Sequence, residues 1–352
     1  MKILFIGNAN LKVAARSHFA YNTRIFNGLV RNGHYVYFFS DRDEVRRASP
    51  FGIKGIGRIR ANNRLLEIVK DFRPHAIIIS HVNLIENETF RLIKERHPEI
   101  RIGRINVDAL YTPNNHANLL NYNNHIDATF ITTGGPALSA FANEKHPFYF
   151  IPNITDTSID KGRAFEREQL HYDLACFMHN DNSWDERTRL NIANGVATAL
   201  PELKICYRGF NKQPNIRGHE YIDFLQNSAM ALNLSRMVVD GMESTEETRY
   251  LYSSDRIAHV MGNGVLAFTS DKFSLNHLYS DKEVVFFSEI EDLVEKVRFY
   301  KDNPGARQII AKTGWERVHR DFNEVTVIKY VLERLMDKPL SQEYNWPITA
   351  WR

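Results

Sequence analysis

Three arginines and two candidate proton acceptors fall where strand-like segments end. Arg208 closes the segment 204–209, Arg236 follows Asn233-Leu234-Ser235, and Arg256 opens Arg256-Ile257-Ala258-His259-Val260-Met261-Gly262-Asn263-Gly264. Planar guanidinium groups grip phosphate oxygens in pairs, so the three together point to a phosphorylated ligand. Any one of them reads equally as a structural ion pair. Arg256 and His259 are three residues apart and share a helical face. Ser253 or Ser254 stands where the N-cap of that helix belongs, directly before Asp255. Gly262 and Gly264 mark a tight turn into the apolar strand that follows, where a side chain would obstruct a ligand or the neighbouring helix.

In the first half, Asp108 ends Asn106-Val107-Asp108 and His81 follows Ser80. A carboxylate or imidazole within hydrogen-bond reach of a hydroxyl can take its proton, and Asp108 is the first choice for that base, His81 the second. A loop cap and a core imidazole are their plain alternatives. Asn83 beside His81, and Asn8 and Asn10 in Gly7-Asn8-Ala9-Asn10, offer amides to a polar ligand. Thr132-Thr133-Gly134-Gly135-Pro136 is either an anion-binding helix start or an ordinary strand-to-helix turn. A further strand end, at His179-Asn180, projects toward the same edge as Arg208 and Arg236, and the acidic loop around Asp240 and Gly241 reads either as a contact for the transferred sugar or acceptor or as a solvated loop.

Near-continuous apolar strands spaced by helices must position these residues. Strands are expected at 2–7, 35–40, 76–80, 101–108, 128–133 and 148–153, with helices at 17–32, 62–72, 86–96 and 136–143. The alternation restarts with strands at 172–178, 204–209, 230–235 and 284–288 and helices at 185–200 and 221–227. That pattern is a parallel sheet covered on both faces, built twice, with ligands taken at the carboxyl ends of the strands. Pro152-Asn153 and the polar residues after it read as the linker, near residue 160.

A chain of 352 residues is long enough for two domains of about 150–180 residues each. No apolar run approaches the roughly 20 residues that span a bilayer. The N-terminus reads as a buried strand rather than a signal peptide. Cys176 and Cys206 lie in apolar segments without metal-ligand spacing, as reduced core residues of a cytoplasmic protein do. Between Lys12 and Arg64 there are eleven Lys/Arg against three acids. This is either a solvated face or a surface for anionic lipid or a phosphorylated ligand; without a stacking platform or recognition helix, nucleic acid is excluded as a partner. Gly52-Ile53-Lys54-Gly55-Ile56-Gly57 reads as a flexible loop. Asp41-Arg42-Asp43 reads as a surface turn rather than a metal motif, and no metal or cofactor is expected. There is no phosphate loop of the G-x-x-x-x-G-K-[ST] type and no G-x-S-x-G elbow, which argues against an ATPase and a triad hydrolase.

The segment from Arg256 to Gly264, with the strand and helices after it, resembles the C-terminal half of nucleotide-sugar glycosyltransferases of the GT-B architecture, most closely the bacterial group-1 and CgeB-like members. Their pattern is Arg-x-x-Glu, four more residues, then Gly; here Arg256, His259 and Gly264 take those places. The resemblance implies an α/β fold of two Rossmann-like domains facing each other across a cleft. It implies an acceptor-binding domain at 1–155, a nucleotide-sugar-binding domain at 165–335 and a tail at 336–352, with Trp346 and Trp351, packing back on the first. The implied donor set is Arg208, Arg236, Ser254, Asp255, Arg256, His259, Gly262 and Gly264, with Asn8, Asn10 and Asn83 toward the acceptor. The glutamate that would bond the donor ribose is His259 here, so that contact falls to His259, Asp255 or Glu247. The implied activity is metal-independent transfer of a sugar from a nucleotide donor to a saccharide or glycolipid hydroxyl. Its expected setting is bacterial lipopolysaccharide or capsule assembly at the inner face of the cytoplasmic membrane, with the basic region 12–64 as a peripheral contact. A sugar-nucleotide epimerase or hydrolase, or an inactive sugar-nucleotide-binding subunit, is the alternative.

Overall fold

A computed structural model describes residues 1–352 apart from 14–19, 122–123, 179–183, 210–211, 217 and 240–241, and apart from the side chains at 113, 184–188, 238–239 and 242–243. In the first half the chain runs β1 (Lys2–Gly7), α1 (Tyr21–Arg31), β2 (Tyr35–Ser40), α2 (Asp41–Ala48), α3 (Lys54–Phe72), β3 (Ala76–Ser80), α4 (Asn87–Arg96), β4 (Arg101–Asn106), α5 (Pro113–Asn121), β5 (Ala128–Ile131) and β6 (Phe148–Phe150). It continues through β7 (Tyr172–Phe177), α6 (Trp184–Ala199), β8 (Ile205–Arg208), α7 (His219–Gln226), β9 (Ser228–Asn233), β10 (Val238–Val239), β11 (Met242–Glu243) and α8 (Glu246–Arg249). Last come α9 (Arg256–Gly262), β12 (Leu266–Ser270), β13 (Val285–Phe287), α10 (Ile290–Asp302), α11 (Pro304–Asp321), α12 (Glu324–Leu335) and β14 (Ala350–Trp351).

The first sheet has the order β14-β6-β5-β4-β3-β1-β2 and the second β13-β12-β9-β7-β8. Every pairing in both is parallel except that of β14 with β6. Strands β3 and β9 are buried at every position, because a strand without a polar face needs a helix layer on each side. The strand order reverses between β1 and β3 in the first sheet and between β7 and β9 in the second. Crevices at the carboxyl ends open at such reversals.

The two sheets are joined by more than a tether. Asp156 and Asp160 in the connecting segment are fully buried, held by bonds from Asn27, Arg31 and Ser158 and from Arg24 respectively. The chain returns to the first domain at α12, which packs on α1 so closely that a Cβ at Gly28 would lie 2.4 Å from the Glu324 carbonyl oxygen. Tyr330, Tyr344 and Trp346 then stack into one aromatic cluster, and β14 extends the first sheet.

Several local readings differ. Residues 52–57 are not a loop: a short 3-10 turn at Pro50–Gly52 leads into α3. Gly57 is inside that helix because α2 crosses there, and a Cβ would come within 2.4 Å of the Val45 carbonyl oxygen. Asp41-Arg42-Asp43 is the first turn of α2 rather than a surface turn. Buried Asp41 accepts from the backbone N–H groups of Asn83 and Leu84, tying β2 to the loop after β3. The helix at 136–143 is a 3-10 turn, Pro136–Ala140. Neither Ser253 nor Ser254 caps α9; the Ser253 hydroxyl donates to Ser254 O and that of Ser254 to Asn233.

Candidate active site

On the second sheet, the ends of β9 and β12 carry a network of hydroxyls and amides. Asn233 donates to the Ser253 hydroxyl at 2.9 Å and to the Thr269 hydroxyl at 3.3 Å, while the Ser254 hydroxyl donates back to Asn233 at 3.1 Å. Ser254 N–H donates to the Ser235 hydroxyl at 3.1 Å. These bonds fix the entry of α9, and with it Arg256, whose Nη1 donates to the Ser254 hydroxyl at 3.1 Å and lies 3.4 Å from Leu234 O. Beside this network is a cavity of about 260 Å³ lined by Arg189, Leu234, Ser235, Met237, Ser270 and Phe287 among others. Its walls are mainly apolar, as suits a flat ring, with the polar network on one side. Burial pushes the Cys176 thiol up to about 12 although Arg256 and Arg189 act on it in the other direction, so it is a core group rather than a nucleophile.

On the first sheet, β3 and β4 end at a cavity of about 250 Å³ that brings His81, Asn83 and Asp108 together with Arg42, Asn106 and Asn118. His81 takes a left-handed backbone (φ 52°), which swings its ring over the strand end, where Nδ1 is 3.2 Å from the Ser80 hydroxyl. Nε2 lies 3.8 Å from Asp108 Oδ2, and about half of the Asp108 side chain is exposed (54%). A carboxylate open to the cavity and an imidazole behind it form a pair able to take and pass on a proton. The cavity adjoins another of about 570 Å³, and Asn83 and Asn118 line both, with Asn87, Asn114 and Asn121 beyond.

Two tyrosines connect the edges. Tyr111, in the loop after β4, donates its hydroxyl to Arg236 O and packs edge-on against Tyr252 at 5.8 Å. Burial above all raises the Tyr252 hydroxyl above its ordinary range, with Asp108 and Asp255 adding to the effect and Arg236 and Arg256 opposing it.

Other expected site residues stand elsewhere. Arg208 is on β8, the outermost strand, with its guanidinium 4.0 Å from the Phe224 ring centre. Asn8 accepts from Asn10 N–H at 2.9 Å, and neither lines the cavity at His81. Gly262 and Gly264 face the connecting segment, where added Cβ atoms would lie 2.8 Å from Asp160 Cβ and 2.6 Å from Phe165 Cδ1. They let that segment pass close and do not border either cavity. His259 is on the buried side of α9: Nδ1 is 2.8 Å from Arg24 Nη2, Tyr221 packs edge-on at 5.5 Å, and Nε2 is 3.8 Å from Asp255. Burial alone would raise Asp255, but His259, Arg256 and Arg24 outweigh it and hold the carboxyl well below the usual range. His179, Asn180, Asp240 and Gly241 lie outside the described residues.

The sequence reading missed Tyr111, Tyr252, Arg189, Asn233 and the Arg24–Asp160 pair. Only Asn233 had a signal, its place three residues before Arg236 at a strand end. Tyr111, Tyr252 and the Arg24–Asp160 pair meet through contacts more than a hundred residues apart, and Arg189 meets the cavity residues from Leu234 onward across 45 residues or more. Among the described residues, no group of three or more His, Cys, Asp or Glu side chains is placed to hold a metal ion, and no helix is long and apolar enough to cross a membrane.

Residues 167–333 match the family model described as "Glycosyl transferase-like". No protein of curated function matches the chain in sequence. Among solved structures, an alpha-glucosyltransferase in complex with UDP and a mismatched DNA is similar over 96% of this chain and 100% of its own, with a TM-score of 0.68 at 10% identity. Sucrose-phosphate synthase from Thermosynechococcus elongatus is similar over 96% and 98%, TM-score 0.60 at 10% identity. HepE from Anabaena, in complex with UDP and glucose, is similar over 96% and 100%, TM-score 0.58 at 12% identity.

Proposed function

We propose that this chain, whose residues 167–333 match a glycosyl transferase-like family model, is a glycosyltransferase of the GT-B architecture that moves a sugar from a uridine-diphosphate donor to a saccharide hydroxyl. The observation that carries the reading is the link between the two sheet edges: Tyr111, three residues after Asp108, donates its hydroxyl to Arg236 O and packs edge-on against Tyr252. Relatives in fold were solved with UDP, and the 260 Å³ cavity at β9, β12 and β13 has the size and apolar lining for a base, with Arg256 beside it for phosphate.

In this reading the acceptor sits in the cavity of His81, Asn83 and Asp108. Its hydroxyl oxygen forms the new bond to the anomeric carbon while the bond from that carbon to the diphosphate breaks. The proton passes to Asp108 or, as the second choice, to His81. Arg256 and Arg236 meet the charge that develops on the leaving phosphate. Ser254 and Asp255 border the ribose side, whereas His259 is engaged with Arg24. Arg208, Asn8 and Asn10 are left outer roles in donor and acceptor binding, and Gly262 and Gly264 let the connecting segment pass close to α9. The finer setting is assembly of bacterial surface glycan such as lipopolysaccharide or capsule, at the inner face of the cytoplasmic membrane.

The test is turnover of UDP-sugars with and without saccharide acceptors. Loss of donor at the same rate without acceptor would favour a hydrolase or epimerase, and donor binding without any turnover an inactive subunit. Asp108→Asn is expected to abolish transfer while donor affinity is kept; full activity would remove Asp108 as the base. Arg256→Ala is expected to cost about 2–4 kcal/mol in transition-state stabilisation, read from kcat/KM.

A further inference from the structure

The start of α3 is built the wrong way round for a helix that faces only water. Of the ten residues 51–60, nine are exposed and Gly57 alone is buried. The exposed ones include four large apolar side chains: Phe51, completely exposed on a left-handed backbone (φ 51°), and Ile53, Ile56 and Ile59 at 50%, 38% and 61%. Ile56 and Ile59, three apart, share the outward side of the helix, opposite the buried row Gly57, Ala61 and Leu65. A water-facing turn gains nothing from isoleucine, and an apolar cluster of this kind marks a contact surface.

The charge around it selects the occupant. From Val45 to Leu66 the chain has six Lys/Arg and no Asp or Glu. Lys54 and Arg60 form no ion pair among the described residues, so their charge is not cancelled locally. Apolar side chains at the tip with uncompensated cations on the flanks are what an anionic bilayer surface takes up: the rings and branches enter the headgroup boundary while the cations stay at the phosphates. A protein partner would need acidic groups facing the same few residues, and a second copy of this surface would bring like charges together.

We infer that Phe51, Ile53, Ile56 and Ile59, with Lys54 and Arg60, dock this protein onto an anionic membrane. Through Arg58 the surface borders the asparagine-lined cavity, which shares Asn83 with the cavity of His81 and Asp108. On the sugar-transfer reading, and only on it, that places a lipid-borne acceptor beside the catalytic edge.

Vesicle co-sedimentation tests the surface without reference to turnover. The full chain is expected to sediment with vesicles of equal parts phosphatidylcholine and phosphatidylglycerol, to stay in solution with phosphatidylcholine alone, and to be released as salt rises. The variant Phe51→Ser/Ile53→Ser/Ile56→Ser/Ile59→Ser should lose the interaction. Lys54→Ser/Arg60→Ser should weaken it roughly twentyfold or more, at about fivefold for each cation near the surface. Both replace exposed groups, and circular dichroism and UDP binding on the same samples report that the fold and donor side are intact. Equal binding to neutral vesicles, no binding at all, or binding unchanged in the four-residue variant would overturn the inference. So would a lipid-free dimer in ultracentrifugation that the same variant abolishes, since the patch would then be a protein interface. Failure of UDP binding in the parent chain would count against the donor reading and leave the membrane result standing.

Discussion

Removing the buried cation between the domains is the severest test of how they are joined. Arg24, on α1, has a side chain 1% exposed and Asp160 one of 0%. The guanidinium bonds both Asp160 oxygens, the Ile154 carbonyl at 2.9 Å and His259 at 2.8 Å. In Arg24→Met the aliphatic volume stays and the charge goes, leaving Asp160 buried, among the described residues, with hydrogen bonds from Asp156 N–H at 2.9 Å and the Asn263 amide at 3.2 Å and with the His259 ring 3.8 Å away. Breaking a buried pair from one side costs about 3–5 kcal/mol. The two remaining donors place the expectation near the lower end, about 3 kcal/mol. Unfolding entropy of about 2.1 cal/mol/K per residue amounts to roughly 0.7 kcal/mol/K for this length, so the thermal midpoint should fall by about 4 °C. The companion Arg24→Met/Asp160→Asn deletes both charges and is expected to recover at least half of the loss, as neutral replacements of buried pairs do. Calorimetry of the parent, both single variants and the double variant reads the coupling directly. A single-variant cost below about 1 kcal/mol, or a double variant no better than Arg24→Met, would refute the reasoning, because the pair would then not be holding a buried charge.

Two further outcomes follow from the same junction. Gly28→Ala should destabilise by about 1–3 kcal/mol as the methyl meets the Glu324 carbonyl oxygen and Ile328 Cγ1, measured by urea denaturation; no change would mean that α12 is not seated on α1 as described. Burial of Asp156 alone would raise its pKa, but the bonds from Ser158, Asn27 and Arg31 outweigh it and hold the carboxyl below its ordinary range. A folded value below the unfolded one, near about 3.9, contributes stability that is present above the unfolded value and lost as pH falls through the folded one. Asp156→Asn should therefore be the less stable protein at neutral pH and lose less on acidification below about pH 4; parallel acid limbs for the two proteins would assign the effect to other carboxylates.

Much of the fold was legible because buried parallel strands write themselves as uninterrupted apolar runs. Ala76-Ile77-Ile78-Ile79 needs no tertiary information to be read, whereas the strand expected at 230–235 begins two residues earlier, at Ser228. The glycine-rich start of α3 was not legible, because Gly57 is chosen by the backbone of α2 twelve residues earlier and not by a turn of its own. The same limit applies at the site. Strand ends locate Asp108, His81, Arg236 and Arg256 on an edge, since position along a strand is a local property. Which of them meet is decided by Tyr111 and Tyr252, whose partners lie across the domain junction. Arg208 looked equivalent to Arg236 in sequence and differs only in that β8 is an outer strand and β9 a central one.

The histidine at position 259 gives that difference a mechanical meaning. The resembled glycosyltransferases have a glutamate there, available to a donor ribose. Here the ring is packed under Tyr221 and bonded to Arg24, which itself holds Asp160. One short helix, α9, therefore presents Arg256 toward the end of β9 and fixes its other end, through His259, to α1 of the first domain. A rotation of the domains that left the Arg24–Asp160–His259 cluster intact would have to carry Arg256 with it. Arg256 and the domain junction are consequently set by the same seven residues, Arg256–Gly262. Where a ribose-binding carboxylate would tie that helix to the donor, this chain ties it to the opposite domain. The orientation of Arg256 toward Leu234 O and the Ser254 hydroxyl is then a property of the folded chain.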